Sequence, residues 1–455
     1  MKKILFLSHS PLWGGAEKCL YLLLKALPRD QFDPLVLLPD DGALRESISA
    51  LGIETRLQPI PPWVRPAVDR WPGTGFSDGV APIVKLIELE QIDVVFSNTS
   101  VIVGGALAAR ICGIPHIWHV LEILSSDPAL SPVLALRDFY PLMGILADRI
   151  IAASDSVRAE LQQFKTSASI EVIHSVIEDA EENSLDRRKE SVFGLPEDTF
   201  VVSFVGELSE RKGVEDLVSC VPSVLARNPD AHFMIVGRDA GRAPAVRDQI
   251  VQRGLENAVQ LLGFRDDIRN IMAASDVFVL PTRSDPLPLA VQEAMSVGTP
   301  VVATMSGGCA DLVVDGETGC LVPVGNRTAL SSAIILLMES PEMRRRMGEL
   351  GRQRLSSSFS QQRYIERMTA VLADPRGSNT GSSGGLAPND LLGILIQSLD
   401  ACVARYSLEE KHQQLIRSHE EILQSHDDVE NAFSTQLGRF LTSPWRVLQT
   451  VLGKS

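Results

Sequence analysis

Two acids, Asp285 and Glu293, stand seven residues apart by intervening count in the stretch VFVLPTRSDPLPLAVQEAMSVGTPVVAT, Val277 to Thr304. A carboxylate accepts two hydrogen bonds at once, which suits the adjacent hydroxyls of a ribose or another sugar. On a helix of about 3.6 residues per turn, Glu293 falls just over two turns beyond the loop holding Asp285, so both can border one crevice. The competing reading is a pair of solvated surface charges, the usual state of acids. Upstream, Arg211 and Lys212 are adjacent cations in VVSFVGELSERKGVEDLV, after a strand that ends in Gly206 and before a helix. Positive charge, a helix N-terminus and a close backbone together favour a diphosphate, although in isolation such a pair reads as solvated. Gly14 and Gly15 sit where a first loop meets a first helix; two glycines admit a ligand close to the backbone, or make a plain turn. In IPHIWHVLEIL, His119 and Glu122 fall at a strand's carboxyl end, where ligands bind in parallel sheets and where a lone histidine is also often structural.

The elements that must position these groups alternate. Val277–Leu280 is a short apolar, β-branched run stopped by Pro281; Leu289 to Val297 has helical spacing; Gly298-Thr299-Pro300 ends it, and Val301–Ala303 is the next strand. Earlier strands are expected at Ile4–Leu7, Pro34–Leu38, Ile53–Leu57, Val94–Ser97, His116–Val120 and Ile150–Ala153, with helical patterns between most of them. Such a rhythm predicts parallel sheets with crossover helices. A second series begins at Phe200, and FMIVGRD ends another strand in Gly237. Pro59 to Gly79 interrupts the first series as a long irregular insertion, expected to be functional or mobile.

At 455 residues the chain exceeds one ordinary core, so two domains and a tail are expected. Its net charge of −14 argues against a nucleic-acid binder, which needs a basic surface to neutralise phosphates. The cysteines at 19, 112, 220, 309, 320 and 402 lack metal-ligand spacing and read as core thiols of a reducing compartment. The apolar run in MKKILFLSHS stops after Leu7 and reads as a strand, not a leader, and no stretch of about 18 apolar residues predicts a membrane span.

With a carboxylate, seven residues and a glutamate before PVVA, the 285–293 stretch resembles the signature of the retaining, nucleotide-sugar-dependent glycosyltransferases of family 4, which have the GT-B fold. DPLPLAVQEAM departs from the commoner Glu-Gly-Phe-Gly opening: Asp285 replaces the first Glu, and Pro286 and Pro288 remove two N–H donors. GGAEK resembles the family's Gly-Gly-Ala-Glu loop, and Lys212-Gly213 coincides with its Lys-Gly, whose lysine contacts the phosphates. Where many relatives have Gly-Arg-Leu, this chain has Gly206-Glu207-Leu208, leaving Arg211 as the substitute cation. The resemblance covers roughly Ile4 to Leu372. It implies an α/β GT-B fold, two doubly wound Rossmann-like domains facing across a cleft, plus a helical C-terminal tail. It further implies that Arg211, Lys212 and backbone amides after Gly14 and near Leu287 stabilise the leaving diphosphate without a metal or other cofactor. Glu293 would hold the ribose and Asp285 the sugar; His119 or Glu122 would orient acceptor or sugar; Phe264 would lie near the base, and Gly206 and Gly237 would line the donor side. The implied partners are a nucleotide-sugar donor and a glycan or lipid-linked acceptor, with the protein at the cytoplasmic face of a membrane.

The expected organisation is an acceptor-side domain over 1–180, a hinge over 181–198, a donor domain over 199–373 whose last helix returns to the first, a Gly/Ser/Pro linker over 374–390 and a helical tail over 391–455. Within the tail, heptad spacing over 408–433 is consistent with a homodimer contact or with packing on the chain itself, and SPWRVLQTVLGKS has the amphipathic character of a peripheral membrane contact. Two alternatives to a transferase stand beside it: a non-catalytic GT-B scaffold assembling through the tail, and a sugar-nucleotide epimerase.

Overall fold

The computed structural model describes residues 1–67, 76–178, 185–377, 396 and 399–401. The hinge expectation over 181–198 falls partly, and the linker and tail expectations almost wholly, outside the described residues; so does the proposed contact over 408–433. Residues Met1–Ile396 form one compact unit.

That unit contains two parallel sheets. The first has strands β1 (Lys2–Ser8), β2 (Phe32–Leu38), β3 (Glu54–Leu57), β5 (Val94–Asn98), β6 (His116–Val120), β8 (Arg149–Ala152) and β9 (Ser169–Val172), in spatial order β3-β2-β1-β5-β6-β8-β9. A two-residue ribbon, β4 (Val64–Arg65) with β7 (Ser131–Pro132), lies apart from it. The second sheet has β10 (Val201–Val205), β11 (His232–Val236), β12 (Val259–Gly263), β13 (Val277–Leu280), β14 (Val301–Thr304) and β15 (Gly319–Val322), in order β12-β11-β10-β13-β14-β15. Both orders reverse direction once, between β1 and β5 and between β10 and β13. At such a switch point the crossover helices go to opposite faces, leaving a crevice at the strands' carboxyl ends. All five residues of β5, β6 and β10 are buried, including the polar Ser97, Asn98, His116, His119 and Ser203.

Each sheet has its own core. The second gathers Phe204, Phe233, Phe278, Val291 and Ile334. The first gathers Phe6, Leu23, Val36, Phe96 and Ile117, and it is completed from far along the chain: helix Gln361–Ala373 inserts Tyr364, Met368, Val371 and Leu372. Four cysteines, Cys19, Cys220, Cys309 and Cys320, are buried thiols.

The part of the Pro59–Gly79 insertion that is described packs inward. Trp63 is fully buried and stacks on Trp118 with ring centroids 5.4 Å apart, while its indole N–H donates to the Ser100 carbonyl at 2.6 Å. Sequence reading also passes over β9, β15 and the short helix Lys189–Phe193, whose apolar runs are too brief to reveal a period. No helix among the described residues is long and apolar enough to cross a membrane.

Candidate active site

The loop after β10 carries both cations to the crevice. Arg211 and Lys212 lie in a short 3-10 turn, Glu210–Lys212, which Gly213 closes with φ 67°. A Cβ at Gly213 would come within 2.1 Å of the Pro281 carbonyl oxygen, so only glycine lets this loop lie against the end of β13. The loop is stitched to that strand end by Arg283 N–H and Thr282 Oγ1, which both donate to the Arg211 carbonyl at 2.7 and 3.0 Å.

From β13 the chain delivers Asp285, which is 6% exposed. Lys212 Nζ donates to Asp285 Oδ2, and Arg211 Nη1 lies 3.7 Å from the same oxygen. Two cations from one loop therefore converge on one carboxylate from the next. The Asp285 carbonyl accepts from Gly308 N–H at 2.8 Å, and a Cβ at Gly307, φ 53°, would meet that carbonyl oxygen at 1.9 Å. Leu287 is buried beneath this second glycine loop. Gly206 and Gly237 end neighbouring strands, Gly206 N–H donating to Val236 O at 3.0 Å and Gly237 N–H to Gly263 O at 2.8 Å. Beyond them Phe264 is 57% exposed, with the Arg238 guanidinium 4.4 Å from its ring centroid.

The first domain faces these groups with the loop after β1. Gly14 precedes helix Gly15–Ala26, and a Cβ on Gly15 would touch Leu289 of the second domain at 3.9 Å. One turn on, Lys18 Nζ reaches Glu293 Oε1 at 3.7 Å. Burial pushes the Glu293 carboxyl above its usual range, with Lys18 and Arg269 pulling it back. Glu17 is 2% exposed, with Ser8 Oγ at 3.3 Å and His9 Nδ1 at 3.2 Å from its Oε1, and desolvation raises its pKa as well.

His119 and Glu122 lie on the same side but are engaged within their own domain. His119 is wholly buried at the end of β6; its Nδ1 lies 3.1 Å from Asn98 Oδ1, and desolvation lowers its pKa to about 3, so the ring stays neutral. Glu122 accepts from Thr99 Oγ1, from Ser100 N–H at 2.9 Å and from Ser100 Oγ at 2.7 Å. Thr99 has φ 120°, a conformation that a β-branched residue adopts only when its surroundings force it. Here Thr99 N–H donates to His119 O at 2.9 Å and Trp118 Nε1 donates to Thr99 O at 2.8 Å, so the strained turn is held on every side.

A strap after β6 crosses the cleft. Asp127 Oδ2 lies 3.2 Å from Arg211 Nε, and the hydroxyls of Ser126 and Ser284 are 2.6 Å apart. Together with Gln292 Nε2 donating to Ser175 O at 3.0 Å, these contacts join the two domains around the cation pair. Glu17, Lys18, Thr99 and Asp127 escaped the sequence reading. The GGAEK stretch signalled the first two; nothing local distinguishes Thr99 or Asp127.

The arrangement offers paired cations at a strand end, a half-buried acid two helical turns farther on, and a glycine loop opposite: an electrostatic cradle for a nucleoside diphosphate with room for hydroxyl recognition. Residues 186–354 match the family described as Glycosyl transferases group 1, and residues 13–181 match Glycosyltransferase Family 4. The chain is 28% identical over 285 residues to an uncharacterised glycosyltransferase of Methanocaldococcus jannaschii, covering 62% of this chain and 75% of the relative. It is 26% identical over 353 residues to the UDP-Gal:alpha-D-GlcNAc-diphosphoundecaprenol alpha-1,3-galactosyltransferase of Escherichia coli, covering 73% of this chain and 87% of that one. Among solved structures, Anabaena HepE in complex with UDP superposes with a TM-score of 0.70 at 27% identity, covering 82% of this chain and all (100%) of that one.

Proposed function

We propose, from the premise that this chain belongs to the group 1 glycosyl transferases of family 4, that it moves a sugar from a nucleotide-diphosphate sugar to an acceptor hydroxyl with retention of configuration. The convergence of Arg211 and Lys212 on Asp285 at the switch point of the second sheet carries this reading. As the glycosyl bond to the diphosphate breaks, negative charge grows on the leaving phosphate oxygen; two preorganised cations and the N–H groups of the Gly14 loop stabilise it, the part a metal ion plays in other transferases.

In this reading Glu293 binds the ribose hydroxyls and Asp285 the donor sugar, while the Gly206 and Gly237 strand ends and Phe264 border the nucleotide. His119 and Glu122 hold the Asn98–Ser100 turn, on which the acceptor or the donor sugar is oriented. The departing phosphate oxygen takes the proton of the attacking hydroxyl on the same face, so no enzymic nucleophile is required. HepE is described in complex with UDP-glucose and the Escherichia coli relative as acting on a diphosphoundecaprenol-linked sugar, which supports a UDP-sugar donor and a lipid-linked or glycan acceptor in surface polysaccharide synthesis. The second domain is the donor side and the first the acceptor side, with the protein acting at the cytoplasmic face of a membrane.

The test is a thermal-shift screen of the full chain against nucleotide-diphosphate sugars, followed by assay of transfer with the donor that stabilises it. Retention of transfer to a confirmed acceptor in Lys212→Ala would sink this assignment.

A further inference from the structure

A cavity of about 450 Å³ opens where three stretches of chain meet. The first domain supplies Asp155 and His174, the second supplies Asp311 and Arg354, and the returning segment supplies Ser360, Arg363 and Arg367. None of Arg211, Lys212, Asp285 or Glu293 lines it.

Its charges are unevenly matched. Both acids already have partners: Asp155 pairs with Arg158 at 2.6 Å, and Asp311 Oδ2 takes His174 Nε2 at 3.3 Å and the Asp155 N–H at 2.7 Å. Arg367 is paired with Glu171 at 3.0 Å. Arg354 and Arg363 have no carboxylate partner among the described residues. Arg354 is held rigid instead, its Nε donating to Leu312 O and its Nη2 to Asp311 O, both at 2.8 Å, with its guanidinium 5.6 Å from the Phe359 ring centroid. Arg363 gives only Nη1 to a backbone carbonyl, that of Ser357, at 3.0 Å. In a chain of net charge −14, two arginines turned toward one recess without counter-ions are an anion site in waiting, since a planar guanidinium with free donors matches tetrahedral oxyanions. The same arginines repel a cation, so the Asp155–His174–Asp311 cluster, whose ligand atoms lie within 4.8 Å of one another, reads as an interdomain hydrogen-bonded contact rather than a metal site.

We propose that this cavity binds a small phosphate-bearing anion, with Arg354 and Arg363 as its principal ligands and the Ser360 region at its rim. The occupant touches both domains and the returning segment, so it fastens them together in addition to whatever the donor does. The site does not depend on the transferase assignment.

Calorimetry on the full chain with inorganic phosphate tests it, alongside glucose 6-phosphate and phosphatidylcholine vesicles containing phosphatidic acid. Phosphate should bind the native protein while a sugar nucleotide occupies the donor cleft, and Arg363→Gln, at an exposed position, should weaken it about tenfold, as expected for loss of one charge-assisted contact. Tighter binding of glucose 6-phosphate, or Arg363-dependent vesicle binding, identifies a soluble ester or a lipid headgroup as the source. Phosphate binding that survives Arg363→Gln unchanged, that is lost when a sugar nucleotide saturates the donor cleft, or that is not detected at all overturns the proposal. Stabilisation by a sugar nucleotide in Arg363→Gln, measured in parallel, separates that failure from failure of the donor site.

Discussion

Arg211 Nε and Asp127 Oδ2 stand 3.2 Å apart, one contributed by each domain, so a cation read as a diphosphate ligand is already matched to an acid from across the cleft. An entering diphosphate competes with that carboxylate. Asp127→Asn should therefore tighten donor binding about threefold, the scale of a partly exposed ion pair. Calorimetry with the donor identified by thermal shift measures this. Weaker binding would instead make Asp127 a positioning residue for Arg211.

Lys212 has the more direct task. Its replacement by alanine removes a preorganised charge from the leaving group, so kcat should fall by roughly 100- to 1,000-fold. The substitution also leaves Asp285, 6% exposed, without its ammonium partner, so some loss of Tm should accompany it. Circular dichroism at the assay temperature separates the two effects.

Glu293→Gln tests the ribose contact. A donor at about 100 times its Kd adds roughly 2.7 kcal/mol to the stability of a protein that binds it, and most of that increment should vanish in the variant. An undiminished shift would remove Glu293 from the donor site.

Two buried groups give pH dependences of opposite sign. Glu17 has its pKa raised by desolvation above 4.5, so the folded state holds the proton more tightly than the unfolded chain, and stability is lost as pH rises through that window. Glu17→Gln should gain in Tm relative to the native chain as pH rises above about 4.5. His119 is lowered from 6.5 to about 3, so the unfolded chain binds the extra proton and stability is lost as pH falls between those values. His119→Asn, which can still bond Asn98, should flatten that acid limb in a series of melting curves.

Gly213→Ala should be among the more damaging single changes outside the cores. It combines a φ of 67° with a Cβ 2.1 Å from a carbonyl oxygen. The left-handed conformation alone costs about 1–2 kcal/mol, and displacement of the loop should move Lys212. A Tm drop of about 5 °C together with loss of transfer is the expected result.

What could be read from the chain beforehand was what is local. Strands such as Val277–Leu280 and the Asp285-to-Glu293 interval carry their own period, and they fold into a strand, loop and helix where that period puts them. The Arg211–Lys212 pair could be placed at a strand end for the same reason. What stayed hidden depends on docking. Lys18 meets Glu293 and Asp127 meets Arg211 only because two separately wound sheets face each other, and no spacing within either segment encodes that. Likewise Trp63 and Trp118 are ordinary aromatics in sequence, 55 positions apart, and become one stacked pair only when the insertion folds inward.

Helix Gln361–Ala373 seals the core of the first sheet with Tyr364, Met368, Val371 and Leu372. On the ribosome, β1 emerges well before helix Gln361–Ala373, and the apolar surface beside it remains uncovered until the chain has grown past residue 373. The amino-terminal half must wait, partly unclad, for the carboxyl-terminal half to be made. Nascent chains stalled before Gln361 are accordingly the ones a chaperone would recognise.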